Sequence, residues 1–279
     1  MKTSVEVELG ALSDRGKVRE NNEDRYVAAR FERAMQTLFT NLSAGEVPER
    51  HLDAGYVMLV ADGVGGAAAG EVASSTAVRV LVGLALETPD WIMSFEGEHA
   101  REVLARMEER FRKIQKLFVE RAAAEPALAG MGTTMTLAGS VGADLIIAHI
   151  GDSRAYLLRA GKLLRLTRDQ TMAQALADAG AIRPEQVATH PSRHVLTGAI
   201  TTQVGDVPVE LQQLRLSDGD QLLLCSDGLT EMVSDAAIAE TLDRAGSAAK
   251  ACRALVDLAL EGGGRDNVTV ILARYRIPQ

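Results

Sequence analysis

Apolar runs that stop abruptly at an aspartate set the limits on how this chain can fold. Val57-Met58-Leu59-Val60-Ala61 ends in Asp62, which is followed by Gly63-Val64-Gly65-Gly66. Ile146-Ile147-Ala148-His149-Ile150-Gly151 leads to Asp152, and Leu222-Leu223-Leu224-Cys225-Ser226 leads to Asp227. Asp266 stands ahead of such a run, with Asn267 before Val268-Thr269-Val270-Ile271-Leu272, and Asp24 closes the polar stretch Asn21-Asn22-Glu23. Runs this short do not span a bilayer and read as buried strands. Gly63, Gly65 and Gly66 let the backbone turn sharply and bring its own carbonyls close to a ligand of Asp62. Taken singly, each aspartate is a turn former. Taken together, they read as carboxylates at strand ends, several of which are expected to converge on one edge of a sheet sandwich. Clustered carboxylates repel, and acidic groups are rarely buried unless paired or metal-bound. With no His or Cys at ligand spacing, the ions that suit are hard: Mg²⁺ or Mn²⁺, ahead of Ca²⁺.

The rest of the chain bounds the setting. A net charge of −8 argues against nucleic acid as a partner, because phosphate backbones demand a basic face. Only Cys225 and Cys252 are present, which favours a reducing compartment over a disulfide framework. The first residues carry no signal-peptide pattern and no stretch reads as a membrane span, so a cytoplasmic monomer without a membrane partner is expected. Val5, Val7 and Leu9 alternate with glutamates as a strand does, and a second short strand is expected around Tyr26. Residues 31–54, with Phe31, Met35 and Leu38 at helical spacing and a loop-like remainder, read as an insertion. A helix is expected from Glu71 to Leu86, stopped by Pro89, and an amphipathic one from His99 to Ala124. Strands are expected over 133–140, 144–150, 154–159, 162–166, 207–214, 220–225 and 268–275, with helices near 235–243 and 248–261. Residues 170–205 are irregular. Strands and helices do not alternate as in a βαβ array, so the expected class is α+β, a sandwich of antiparallel sheets covered by helices, in one domain over 3–276. A nucleotide-binding reading of the glycines after Asp62 fails, for want of a P-loop lysine and of βαβ order.

In this order, Ser13-Asp14-Arg15-Gly16-Lys17-Val18-Arg19-Glu20-Asn21-Asn22-Glu23-Asp24, Asp62-Gly63-Val64-Gly65-Gly66, Gly132-Thr133-Thr134, Gly151-Asp152-Ser153-Arg154, Ser226-Asp227-Gly228-Leu229 and Gly264-Arg265-Asp266-Asn267 resemble the protein phosphatase 2C family of metal-dependent Ser/Thr phosphatases, in its bacterial form. The resemblance implies an α-β-β-α arrangement, two antiparallel sheets flanked by helices on both sides. It implies hydrolysis of phosphoserine and phosphothreonine on proteins by a water activated at two Mn²⁺ or Mg²⁺ ions, with a weaker third. Asp62 is implied as the bridging ligand, Asp227 and Asp266 as further ligands of the first ion, and the Gly63 carbonyl as a ligand of the second. Glu23 and Asp24 support that second ion, Asp152 joins Asp227 at the third, and Arg19 binds the phosphate. The implied partners are phosphorylated proteins, Ser/Thr kinases and their substrates, and 170–205 corresponds to the family's flap. Eukaryotic members carry a histidine where this chain has Val64, which leaves the proton donor unassigned. His190 and His194 are the candidates from 170–205, although both read more simply as exposed loop histidines.

Overall fold

A computed structural model describes residues 5–43, 45–65, 69–87 and 97–278, with side chains of 97–100 left aside. Gly66 and Pro89 lie outside the described residues, as does the side chain of His99. The chain opens on strand β1 (Glu6–Asp14) and a long hairpin of β2 (Arg25–Gln36) and β3 (Arg50–Ala61). A two-residue strand β4 (Gly63–Val64) precedes helices α1 (Ala69–Leu86) and α2 (Gly97–Ala124). Then come β5 (Gly132–Thr133), β6 (Met135–Val141), β7 (Asp144–Ile150), β8 (Arg154–Arg159) and β9 (Lys162–Arg165). Helix α3 (Met172–Asp178) is followed by β10 (Ile200–Thr201), β11 (Glu210–Arg215) and β12 (Gln221–Cys225). Helices α4 (Asp227–Thr230), α5 (Asp235–Arg244) and α6 (Ala248–Glu261) lead to the last strand, β13 (Val268–Arg276).

Two five-stranded antiparallel sheets form, ordered β1-β13-β12-β8-β9 and β11-β7-β6-β3-β2. Alternation along each strand sorts its side chains onto two faces. Met58, Val60 and Ile147 of one sheet meet Leu157, Leu222, Leu224, Ile271 and Ala273 of the other in a core between the sheets. The intervening residues face outward and are also buried. Leu59, Ala61, Leu137 and Ala148 pack on Ala73, Ala77, Phe111, Ile114 and Phe118 of α1 and α2. Leu223, Cys225, Val270 and Leu272 pack on Ile238, Leu242, Leu255 and Val256 of α5 and α6. Strands covered on both faces must be apolar throughout, which is why their sequences read as runs. The layers are therefore helix, sheet, sheet, helix.

Two expectations are corrected. Phe31, Met35 and their neighbours are not helical: β2 continues to Gln36, paired with β3 down to Arg50. Phe31 stands opposite Gly55 and its ring fills the space a side chain there would need, so a cross-strand aromatic contact outweighs the helical spacing. Helix α1 does have the length and hydropathy of a span, 18 residues at a mean of 1.4. Its buried Ala69, Ala73, Ala77 and Leu81 pack in the core against the β3 sheet instead, and small apolar residues are what close helix-on-sheet packing requires. At the edge of the layers, a three-stranded patch, β10-β5-β4, ties residues 200–201 to the turn after Asp62.

Candidate metal centre

The turn after β3 is held by the turn before β6. Thr134 N and Thr133 Oγ1 both donate to the Asp62 carbonyl, at 2.9 and 2.8 Å, and Asp62 N donates to Thr134 Oγ1 at 3.2 Å. Thr134 Oγ1 in turn hydrogen bonds to Ser153 Oγ at 2.9 Å, which couples Asp62 to the loop carrying Asp152. Every polar group of the Asp62 backbone is thus satisfied, and its carboxylate is left to the site. Gly63 is glycine because α1 crosses close by: a Cβ there would lie 2.1 Å from the Gly70 carbonyl oxygen. That crowding is a reason separate from any approach to metal.

Asp24, after the first polar loop, is buried beneath β12 and β13. Its Oδ2 accepts from Ser226 Oγ at 2.7 Å, while Oδ1 has no partner among the described residues. Ser226 Oγ also accepts from Thr269 N at 2.9 Å, so one hydroxyl fixes Asp24 to both strands. Asp227 follows Ser226 directly and opens α4, and its Oδ1 is likewise buried without a partner. Asp266 precedes β13, accepting from Asn267 N at 2.8 Å through Oδ1 and from Arg19 Nη2 at 2.6 Å through Oδ2. Asn267 is the knot of this corner. Its Oδ1 accepts from Glu23 N at 2.7 Å, and its Nδ2 donates to the carbonyls of Arg15 and Asn21 at 2.8 and 2.9 Å. Glu23, in the loop before β2, brings its carboxyl against Gly70 at the start of α1.

Five aspartates therefore share one end of the sandwich, and their electrostatics show how closely. Burial above all, then Asp24, Asp227, Asp152 and Asp266, hold Asp62 protonated far above the usual carboxylate range. Asp227 is raised in the same way, by burial and then by Asp152 and Asp266. Burial lifts Asp24 to about 6 against the opposing hydrogen bond from Ser226, and lifts Asp152 to about 7 with Asp169 adding to it. Glu23 is raised by burial too, with Arg19 opposing. Such a set is unfavourable as it stands: buried oxygens without donors, and charges suppressed by one another. Oxygen-only donors with orphaned buried atoms fit hard divalent cations, so the residues present suit the ions expected from sequence.

All the predicted site residues reach this end, with one difference of setting. Arg19 is half exposed and paired with Asp266, whose hydrogen bond and charge raise its pKa, so it is tied to a carboxylate of the cluster rather than standing alone. For the supporting roles of Ser226, Asn267 and Thr134 the only sequence signal is adjacency, since each stands next to an aspartate or within one of the motif turns. Cys225 lies in the core as expected, its thiol pushed up to about 12 by burial. Both cysteines are buried and free.

A sequence model of protein phosphatase 2C matches residues 48–259. The chain belongs to the protein phosphatase 2C family. Within that family it is similar to serine/threonine protein phosphatase PstP of Mycobacterium tuberculosis, 37% identical over 273 residues, 98% of this chain and 46% of PstP. It thus spans less than half the length of that relative. Serine/threonine phosphatase stp of Listeria innocua is 33% identical over 96% of this chain and 95% of its own length. The crystal structure of the catalytic domain of PstP in complex with two manganese ions matches with a TM-score of 0.76 at 35% identity, covering 98% of this chain and 100% of that one. The helix–sheet–sheet–helix layering is accordingly the protein phosphatase 2C fold.

Proposed function

We propose that the protein hydrolyses phosphoserine and phosphothreonine on proteins at a centre of two divalent cations, Mn²⁺ or Mg²⁺, and so reverses the action of Ser/Thr kinases. The observation that carries this reading is the convergence of Asp24, Asp62, Asp152, Asp227 and Asp266, with two buried carboxylate oxygens lacking a partner among the described residues. The named relatives are serine/threonine phosphatases, and one of them is described with two manganese ions. Asp62, Asp227, Asp266 and the Gly63 carbonyl would hold the two ions, with Glu23 and Asp24 supporting them. Asp152 with Asp227 would hold a weaker third. Divalent ions in such a cradle supply Lewis acidity towards water and towards phosphoryl oxygen.

The chain's own groups do the remaining work. Ser226 and Asn267 orient Asp24, Glu23 and Asp266 through hydrogen bonds set before any substrate arrives. Preorganised donors and charges of this kind need no rearrangement as the reaction proceeds. Arg19, tied by one guanidinium nitrogen to Asp266, keeps the rest of its planar fork for two oxygens of the substrate phosphate. Val64 cannot donate a proton to the leaving alkoxide. Cys225 and Cys252 are too deeply buried to act as nucleophiles, and their free state supports a cytoplasmic setting. Residues 3–276 serve as one catalytic unit, acting as a monomer.

Hydrolysis of a phosphothreonine peptide in Mn²⁺ tests the proposal. Wild type is expected to be active and to lose activity in EDTA, and Asp227→Asn to fall about a hundredfold or more, above the loss usual for a supporting partner of a ligand. Activity that survives both EDTA and the substitution would overturn it.

A further inference from the structure

Beside the aspartate cluster stand two residues, His194 and Glu231, that the phosphatase reading leaves without a task. His194, in the segment after α3, places Nδ1 2.8 Å from Glu231 Oε1. A ring nitrogen of His194, a carboxylate oxygen of Glu231 and one of Asp227 all lie within 4.8 Å of one another. Asp227 and Glu231 stand four residues apart across the single turn of α4, which puts both on one face. All three line a cavity of about 250 Å³. A divalent ion bound to nitrogen and oxygen at about 2.0–2.2 Å keeps its ligands between about 3 and 4.4 Å apart, so small side-chain shifts close this triad on an ion.

A second observation points the same way. Asp227 Oδ1 is buried with no hydrogen-bond partner among the described residues. Arg154, in the cavity wall, does not cancel the acidic character, because Asp169 already holds it bidentately at 2.9 and 2.7 Å. Arg193 and Arg265 are exposed at the rim.

We propose that His194, Glu231 and Asp227 form a further cation site, set apart from the all-oxygen cluster by its imidazole ligand and suited to Zn²⁺ or Mn²⁺ over Mg²⁺. Imidazole favours borderline transition-metal ions, whereas Mg²⁺ dehydrates reluctantly and takes oxygen. An ion there would bind the segment carrying His194 to α4, using a ligand from each side. The site goes beyond the phosphatase reading and shares only Asp227 with it.

Pulsed EPR on tag-free, Mn²⁺-loaded protein tests the site, because the aspartate cluster has no nitrogen to offer. Electron spin-echo modulation from imidazole nitrogen is expected in wild type, lost in His194→Ala and kept in His190→Ala. Glu231→Gln is expected to weaken Zn²⁺ binding, followed by calorimetry, by about tenfold or more. Bound Mn²⁺ without nitrogen modulation in wild type, or modulation that persists in His194→Ala, overturns the site while leaving the phosphatase reading intact. Wild-type protein that binds no Mn²⁺ at all overturns both.

Discussion

At the scale of single residues, the cluster depends on side chains that carry no charge. Asn267 makes three side-chain hydrogen bonds to the backbone of Arg15, Asn21 and Glu23, closing the first polar loop onto the last strand. Asn267→Ala leaves the partly buried Glu23 N–H and two carbonyls without partners, at a cost of about 1–3 kcal/mol for an unsatisfied buried group. Urea denaturation should show that loss, and Mn²⁺ affinity should fall with it, since Glu23 and Asp24 sit on the released loop. Gly228 is a second such point: a Cβ there would lie 2.0 Å from the Asn267 carbonyl oxygen. Gly228→Ala forces α4 and β13 apart and is expected to destabilise by about 1–3 kcal/mol, as overpacking does. If Gly228→Ala melts like wild type, the contact between α4 and β13 is looser than described. Both positions were open to a sequence reading only as neighbours of an aspartate. Which backbone groups Asn267 bonds was not, because its partners lie about 250 residues away along the chain.

At the scale of elements, the outer helices are as much a part of the core as the strands. Phe111, Ile114 and Phe118 of α2 are fully buried against the β3 sheet. Phe118→Ala should cost about 3–5 kcal/mol, the range for emptying a buried aromatic site. Thermal unfolding measures it, and a loss below 1 kcal/mol would mean that α2 is only loosely docked. The amphipathic stripe of α2 was legible because it repeats within the helix itself. The β2–β3 hairpin was not, because helical spacing at Phe31 and Met35 is a local pattern that pairing along the whole of β3 overrides. The apolar character of α1 was likewise ambiguous, since a core helix and a membrane span share a composition. Its packing on the sheet is what separates them.

At the scale of the molecule, the cluster makes stability depend on pH and on ions. Burial holds Asp24 at about 6 and Asp152 at about 7, against 3.8 for an ordinary aspartate, and Asp62 and Asp227 are raised as well. A carboxyl whose pKa is higher in the folded state stabilises the fold fully below its unfolded pKa, and that contribution is lost as pH rises through the folded value. Ion-free protein should therefore lose stability between about pH 4 and pH 7, and its melting temperature in EDTA should be lower at pH 8 than at pH 5. Mn²⁺ should reverse the order, stabilising more at pH 8, by about 2.7 kcal/mol at a hundred times its dissociation constant. Melting in EDTA that is flat or rises with pH would show that the aspartates are not held together as described. By itself the sequence determined most of the strands, the β2–β3 extension over 31–54 aside, and which aspartates stand at their ends, because alternation, apolar runs and turn residues are properties of near neighbours. Only the tertiary structure decided that those aspartates meet, that Ser226 reaches Asp24 and Asn267 reaches Glu23, and that His194 arrives beside Glu231. Such meetings depend on strand order and on the stacking of two sheets, which no stretch of neighbouring residues encodes.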